Sequence, residues 1–343
     1  MAPGSDVMTI QVADVRRREV SARWPEATPE ISVVVATYSR SDFLPALVER
    51  LEAQTASVEV VIADDGSDDD SWATLQRLVA TTSLPLLALR LDHTGGPSLP
   101  RNTGVVNARG SLIAFTDDDC LPTPGWAAAI AAGLAGGATV VQGATRPTSD
   151  HHGRWDRTVS VDAPTGLFET CNLGVRRDVF VEAGGFPLID VVAGLPRGFG
   201  EDVLLGSRAS DLGLFAWAPD ATVEHRWIPG TFADHLDGRR RLVGFPWLAR
   251  EVPEVADRLR AGVFLSQRTI EYDAAVASLL AAAVARKPLL LAGMLPWLRA
   301  RLAAIRTQPG SSVARKLAQE AVADTVGFGA LIRGSIRHRR PVL

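Results

Sequence analysis

The sequence predicts an α/β protein: a mainly parallel sheet flanked by helices, followed by a helical C-terminal extension. Three observations carry this. Short β-branched runs alternate with amphipathic segments from Ile31 to Gln142, the pattern of strands joined by crossover helices. Polar, acid-rich loops follow three of the strands, where open α/β sheets bind ligands. Beyond Thr231 the alternation gives way to Arg/Ala/Leu-rich helical periodicity.

The elements follow in order. Residues 1–30 are charged and weakly periodic, with Pro25 and Pro29 near the end, and read as an arm or short helix. Ile31 to Ala36 is a buried strand. Ser41 to Ala53 places Phe43, Leu44, Leu47, Val48 and Leu51 at helical spacing, with Ser41 or Asp42 able to cap it. Val58–Ala63, Leu84–Leu91, Ser111–Thr116 and Ala138–Gln142 read as strands. Asp69–Ala80, Leu99–Ala108 and Trp126–Leu134 read as the helices between them. Thr145 to Gly166 is loop-rich, Gly200 to Leu212 is helical, and Leu214 to Glu224 reads as two short strands around Pro219. The expected domains are an arm (1–30), a sheet domain (31–230) and a helical extension (231–343).

Composition bounds the function. The chain has 343 residues, 46% of them hydrophobic, enough for a sizeable core, and a formal net charge of −3 gives no reason to expect nucleic acid as a partner. Cys120 and Cys171 are too few for a disulfide scaffold, which suits a reducing compartment. The start lacks the basic and apolar pattern of a secretory signal. The most apolar stretch, Ala274 to Leu295, is broken by Arg286 and Lys287 and reads as two helical pieces. A cytoplasmic protein is expected, with the inner face of the membrane as an alternative site.

The chemistry-bearing residues lie in the strand-end loops. Asp117-Asp118-Asp119 follows the apolar strand Leu112-Ile113-Ala114-Phe115. Adjacent carboxylates repel one another, and a hard divalent cation such as Mg²⁺ or Mn²⁺, bound with substrate phosphates, would compensate. A solvated acidic turn before Pro122 is the plain alternative. Asp64-Asp65-Gly66-Ser67 could accept bonds from a base or ribose, or be a capped Asp-Gly turn. Thr37-Tyr38-Ser39-Arg40 is the third loop. Gly95-Gly96-Pro97 with Arg101 and Asn102 suits a diphosphate, or is a loop entering a helix. Glu201 and Asp202 sit in a first helical turn, where carboxylates complement the dipole; one could also be a general base. His225 is a structural hydrogen-bonder or a metal ligand.

In this order, the segments ISVVVATYSR, VVIADDGSDDD, GGPSLPRNTG, ARGSLIAFTDDDC, CNLGVRRDVFVEAGGF and GFGEDVLLGSR resemble family 2 glycosyltransferases of the GT-A fold, over about Glu30 to Trp227. The resemblance implies a Rossmann-like sheet and inverting transfer from a nucleotide-diphosphate sugar, a UDP-sugar favoured, to a hydroxyl. It implies that Thr37, Tyr38 and Arg40 line the nucleotide pocket and that Asp65, with Asp64 beside it, holds base and ribose. Arg101 would approach the phosphates, and Asp117 and Asp118 the donor. Asp119, with Asp117 and His225, would bind Mn²⁺ or Mg²⁺. Asp202 would be the base, next to Glu201, and Cys171-Asn172 with Gly184-Gly185-Phe186 the acceptor side. Leu204 stands where an acidic residue is frequent, and His93-Thr94 where an asparagine is. The extension, with its basic end Arg333, Arg337, Arg339 and Arg340, is similar to helical extensions of some actinobacterial members and gives an expectation of peripheral membrane contact. The acceptor would be a saccharide, a lipid-linked molecule or a small molecule. A metal-dependent nucleotidyltransferase and a non-catalytic nucleotide-sugar-binding scaffold are the competing functions.

Overall fold

The structure, a computed structural model, describes residues 10–24, 29, 31–149, 153–188, 198–306 and 312–343. Part of the expected N-terminal arm, including Pro25 and Glu30, therefore lies outside the described residues. The chain divides into two compact units, Met1–Asp150 with Thr158–Trp227 and His151–Arg157 with Ile228–Leu343.

The first unit is built on one nine-stranded sheet: β1 Val15–Val20, β2 Ile31–Thr37, β3 Val58–Asp64, β4 Leu86–Leu91, β5 Leu112–Thr116, β6 Cys120–Pro122, β7 Ala138–Pro147, β8 Asn172–Arg176 and β9 Leu214–His225, in the order β1-β4-β3-β2-β5-β8-β7-β9-β6. The sheet is mixed rather than mainly parallel. The parallel pairings are β4-β3, β3-β2, β2-β5 and β7-β9; β1-β4, β5-β8, β8-β7 and β9-β6 are antiparallel. The parallel block is the part whose continuous apolar runs the sequence displays, because both of its faces are covered.

Successive side chains of a strand point to opposite faces. Ile31, Val33 and Val35 of β2, with Val60 and Ile62 of β3, join one core cluster; Val34, Val61 and Ala63 join the other. The first cluster is closed by α1 (Leu44–Glu52), α2 (Ser71–Thr81) and α4 (Trp126–Ala135), through Leu47, Leu75 and Trp126 among others. The second is closed by α3 (Ser98–Asn107), α5 (Arg177–Glu182) and α6 (Glu201–Asp211), through Val105, Phe180 and Leu205.

Three details differ from the sequence reading. Residues 15–20 form an edge strand, not a helix. Helix α1 has no side-chain cap, and its entry is held instead by Ser41 N–H donating to Asp69. Leu214–His225 is one strand, with Pro219–Ala221 bulged out where the register jumps from Gly143–Ala218 to Ala144–Thr222. Proline has no N–H to give a ladder, and a bulge accommodates it.

The second unit is helical: α7 Phe232–Arg240, α8 Phe245–Glu251, α9 Pro253–Asp257, α10 Gln267–Ala285, α11 Leu295–Arg306 and α12 Val313–His338. Thr231 and Asp234 form a capping box on α7. A 3-10 segment, Pro288–Met294, runs directly into α11. Pro288–Arg306 is thereby long and apolar enough to cross a membrane by length and composition, although only 11% of it is buried. The chain breaks at Arg286, as the charged pair Arg286-Lys287 predicts, and the second piece continues past Leu295 to Arg306.

Candidate active site

The parallel pairing Thr37–Asp64 brings the carboxyl ends of β2 and β3 level, and the loop after β5 opens on the same edge. A cavity of about 300 Å³ lies there, lined in part by Thr37, Tyr38, Arg40, Asp65, Arg101, Asp117, Asp118 and Asp119. Eight of the expected site residues thus meet in one place. The cavity is also lined by Thr94 and by Gly96 of the glycine loop that the sequence suits to a diphosphate.

The loops are locked by their own polar side chains. Ser39, at a left-handed φ of 51°, donates its N–H to Ser67 Oγ (2.9 Å), and Arg40 N–H donates to Ser71 Oγ (2.9 Å). Gly66 takes φ 73°, and a Cβ there would sit 3.2 Å from the His93 carbonyl carbon, so the turn needs glycine. Asp65 accepts from Thr94 Oγ1 and from the Gly95 and Gly96 N–H groups, which ties the glycine loop to β3. Asp64, expected beside it on the ligand, turns inward instead. It is fully buried, accepts from the N–H and hydroxyl of Ser67, and lies 3.7 Å from Arg90 Nε. Its work is to hold the turn, and it does not line the cavity.

The triplet splits into three roles. Asp117 accepts from Arg101 Nη2 at 2.7 Å, and Arg101 Nη1 lies 3.5 Å from Glu201. Arg101 is 6% exposed, its guanidinium 5.5 Å from the Phe186 ring; burial opposes its charge, but Asp117 and Glu201 outweigh that and raise its pKa. Asp118, 8% exposed, accepts from Thr37 Oγ1 at 2.7 Å. Burial pushes its carboxyl up to about 7, with Asp119 and Asp117 adding to the rise. Asp119 is likewise raised by burial and then by Asp117, with His225 and Arg40 opposing.

His225 reaches the triplet through strand pairing: β6 binds β9 antiparallel with Cys120 opposite His225. The imidazole Nε2 lies 3.4 Å from Asp119 Oδ1, and Nδ1 lies 2.8 Å from the Arg226 carbonyl oxygen. A carbonyl only accepts, so the Nδ1 proton belongs to that bond and Nε2 is the atom that faces Asp119: protonated it pairs with the carboxylate, and without its proton it offers a lone pair beside it. Two electron-rich donors facing one another fit a cation between them. Asp119, Cys120 and His225 place their ligand atoms within 4.8 Å. Burial raises the Cys120 thiol well above its usual range; of the three, the carboxylate and the imidazole are the donors that suit a hard or borderline ion such as Mn²⁺, whereas a thiolate suits softer metals. Asp117, expected as a further ligand, is engaged by Arg101. Cys120 and Cys171 are both free and buried.

Asp202 stands in the first turn of α6, after Gly200 at φ 74°, and its Oδ1 accepts the Val203 N–H. Burial, then the charge of Glu201, raises its carboxyl well above the ordinary range, against the pull of Arg101. It lies in the Arg101–Glu201 neighbourhood but does not line the cavity; residues 189–197, just upstream, lie outside the described residues. Asn172, expected on the acceptor side, is fully buried and structural. It accepts from Trp126 Nε1 and donates to the carbonyls of Ala144 and Ala221. Arg226 was missed: its N–H donates to the Asp119 carbonyl, and its guanidinium lies 5.1 Å from the Phe43 ring, as Arg40 does at 5.0 Å. Its position directly after His225 was the available signal.

Residues 32–193 match the sequence model of glycosyl transferase family 2. The chain is 28% identical over 198 residues to glycosyltransferase AglE of Haloferax volcanii, covering 54% of this chain and 62% of that protein. It is 30% identical over 90 residues to the UDP-Glc:alpha-D-GlcNAc-diphosphoundecaprenol beta-1,3-glucosyltransferase WfaP of Escherichia coli, covering 26% and 35%. The matches thus span less than two thirds of either relative. The fold is similar to that of the mannosyltransferase PcManGT from Pyrobaculum calidifontis, solved with GDP-Man and Mn²⁺, at 18% identity and a TM-score of 0.54, over 94% of this chain and 91% of that one. The family match lies across most of the sheet that carries the cavity: residues 32–193 are similar to the family 2 glycosyltransferases, and the fold is GT-A-like.

Proposed function

We propose that residues 31–230 transfer a sugar, with inversion, from a UDP-sugar to an acceptor hydroxyl, and that Asp119 and His225 hold the divalent ion this requires. The observation that carries the reading is the facing pair Asp119 Oδ1 and His225 Nε2 at 3.4 Å, beside a cavity that Arg101 also lines. Carboxylate oxygen and imidazole nitrogen together suit Mn²⁺ better than Mg²⁺, which prefers an all-oxygen shell. A bound ion would supply charge neutralisation for the leaving diphosphate. Arg101, fixed between Asp117 and Glu201, contributes positive charge to the same group. Thr37, Tyr38 and Arg40 line the nucleotide's place, and Asp65 braces the glycine loop beside it.

In the transfer itself, Asp202 accepts the proton of the acceptor hydroxyl. The oxygen attacks the anomeric carbon on the face opposite the diphosphate, and the breaking bond leaves its electron pair on UDP. The raised pKa makes Asp202 a stronger base than an exposed carboxylate once ionised. The donor named for WfaP supports UDP, and the acceptor in that name supports a lipid-linked hydroxyl ahead of a free saccharide or a small molecule. A lipid-linked acceptor would place the reaction at the inner face of the membrane.

The test is turnover against a panel of UDP- and GDP-sugars, with the released product identified. Nucleoside diphosphate release that disappears in Asp202→Asn, with donor affinity retained, is the expected result. Undiminished turnover in that variant overturns the base. Pyrophosphate release would mean nucleotidyl transfer, and tight binding without turnover a scaffold.

A further inference from the structure

The helical unit carries an apolar surface that the transfer chemistry does not use. At the end of α10 the chain turns through Arg286, at a left-handed φ of 54°, into the 3-10 segment. Residues 283–292 are exposed without interruption. Val284 is 86% and Leu289 85% exposed, and Leu280, Leu290, Leu291 and Leu295 are exposed on the same hairpin. The two arms pack closely, since a Cβ on Gly293 would fall 2.0 Å from Ser278 Oγ. Ordinary surfaces scatter single leucines; a cluster on one protruding turn marks an interaction surface.

The charge around the cluster is one-sided. No Asp or Glu occurs between Asp273 and Glu320, in a chain with 39 acidic residues and a net charge of −3. The same stretch supplies Arg286 and Lys287 at the turn and the exposed Arg299 and Arg306 behind it. Leucines at a tip, cations at its base and no carboxylate between them fit the boundary of an anionic bilayer, where apolar groups enter the acyl region and cations meet headgroup phosphates.

The segment is anchored against crossing the bilayer. Trp297 is buried and donates its Nε1–H to Asp324 Oδ2 at 2.9 Å, and Arg301 lies 3.9 Å from Glu320 and 4.0 Å from Glu271. Spanning would break these contacts and carry Arg301 into hydrocarbon.

We propose that the 283–292 turn inserts peripherally into the surface of an anionic membrane. The proposal stands apart from the transfer reaction, because plain vesicles contain neither donor nor acceptor. The full chain is tested by flotation with phosphatidylglycerol-containing vesicles and with pure phosphatidylcholine vesicles. Binding to the anionic vesicles is expected, at least tenfold weaker on the neutral ones. It should fall at least tenfold in Leu289→Ser/Leu290→Ser and, separately, in Arg286→Gln/Lys287→Gln. All of these positions are exposed, and circular dichroism checks that the variants fold. Absence of binding to the anionic vesicles, or binding unchanged in the leucine variant, overturns the proposal. So does a dimer in sedimentation velocity that the leucine variant abolishes while vesicles bind nothing, which would assign the face to a second copy of the chain.

Discussion

Asp118 shows what a single buried carboxyl costs this site. Its pKa of about 7 lies above the ordinary carboxylate value near 4. Between those values the folded protein keeps a proton that the unfolded chain has released, so stability falls as pH rises through that window. The loss is at most about 4 kcal/mol for this group. Urea unfolding in EDTA at pH 5 and pH 8 should show the fall, and Asp118→Asn should reduce it, the remainder coming from the other carboxyls that burial raises, Asp119 and Asp202 among them. An unchanged slope in the variant would remove Asp118 as its source. Asp202 gives the kinetic counterpart. With its carboxyl raised by burial and by Glu201, the base protonates as pH falls through that raised value. The acid limb of kcat/KM should therefore carry an apparent pKa well above about 4, belonging to the Glu201–Asp202 pair. A profile flat down to pH 4.5 would contradict it. At this scale the sequence pointed to carboxylates that the fold brings near one sheet edge, but not to their different surroundings. Asp64 and Asp65 are adjacent and chemically identical, and only the strand's alternation turns one into the turn and the other toward the cavity.

Among the elements, β7, β8 and β9 depend on Asn172. Its amide joins Trp126 of α4 to the Ala144 and Ala221 carbonyls, one on β7 and one on the β9 bulge. Asn172→Ala would leave three buried groups unpaired and should cost about 3 kcal/mol or more, read by urea unfolding; a loss under 1 kcal/mol would mean that water or neighbours replace the amide. Helix α12 is the corresponding support of the helical unit. Asp324 on its buried face accepts from Arg239, Arg268 and Trp297. Asp324→Ala should destabilise that unit by about 3–5 kcal/mol, because buried cations lose their partner, whereas Asp324→Asn should recover part of the loss. Equal stability of wild type and Asp324→Ala would show the network to be dispensable. The parallel strands and their helices were legible because burial on both faces writes continuous apolar runs. Strand β1, VRRREV, was not: it is an edge strand whose side chains are mostly exposed, and charge is a normal way to protect an edge. Strand β6 is only three residues long, and its pairing with β9, which delivers His225, is a tertiary event with no local signature.

Over the whole molecule, the family match, the GT-A fold and the cavity converge on one edge of one sheet, while the leucine-rich turn belongs to the other compact unit. That separation makes the two proposals independently testable. The central claim is that Asp119 and His225 form the metal station for the donor's diphosphate. Calorimetric titration of UDP into the protein, with Mn²⁺ and then with EDTA, tests it most directly when repeated on Asp119→Ala. Mn²⁺ should tighten UDP binding at least tenfold in the wild-type chain and leave the variant unaffected. Equal affinity with and without Mn²⁺ in the wild type, or full metal enhancement in the variant, would contradict the account.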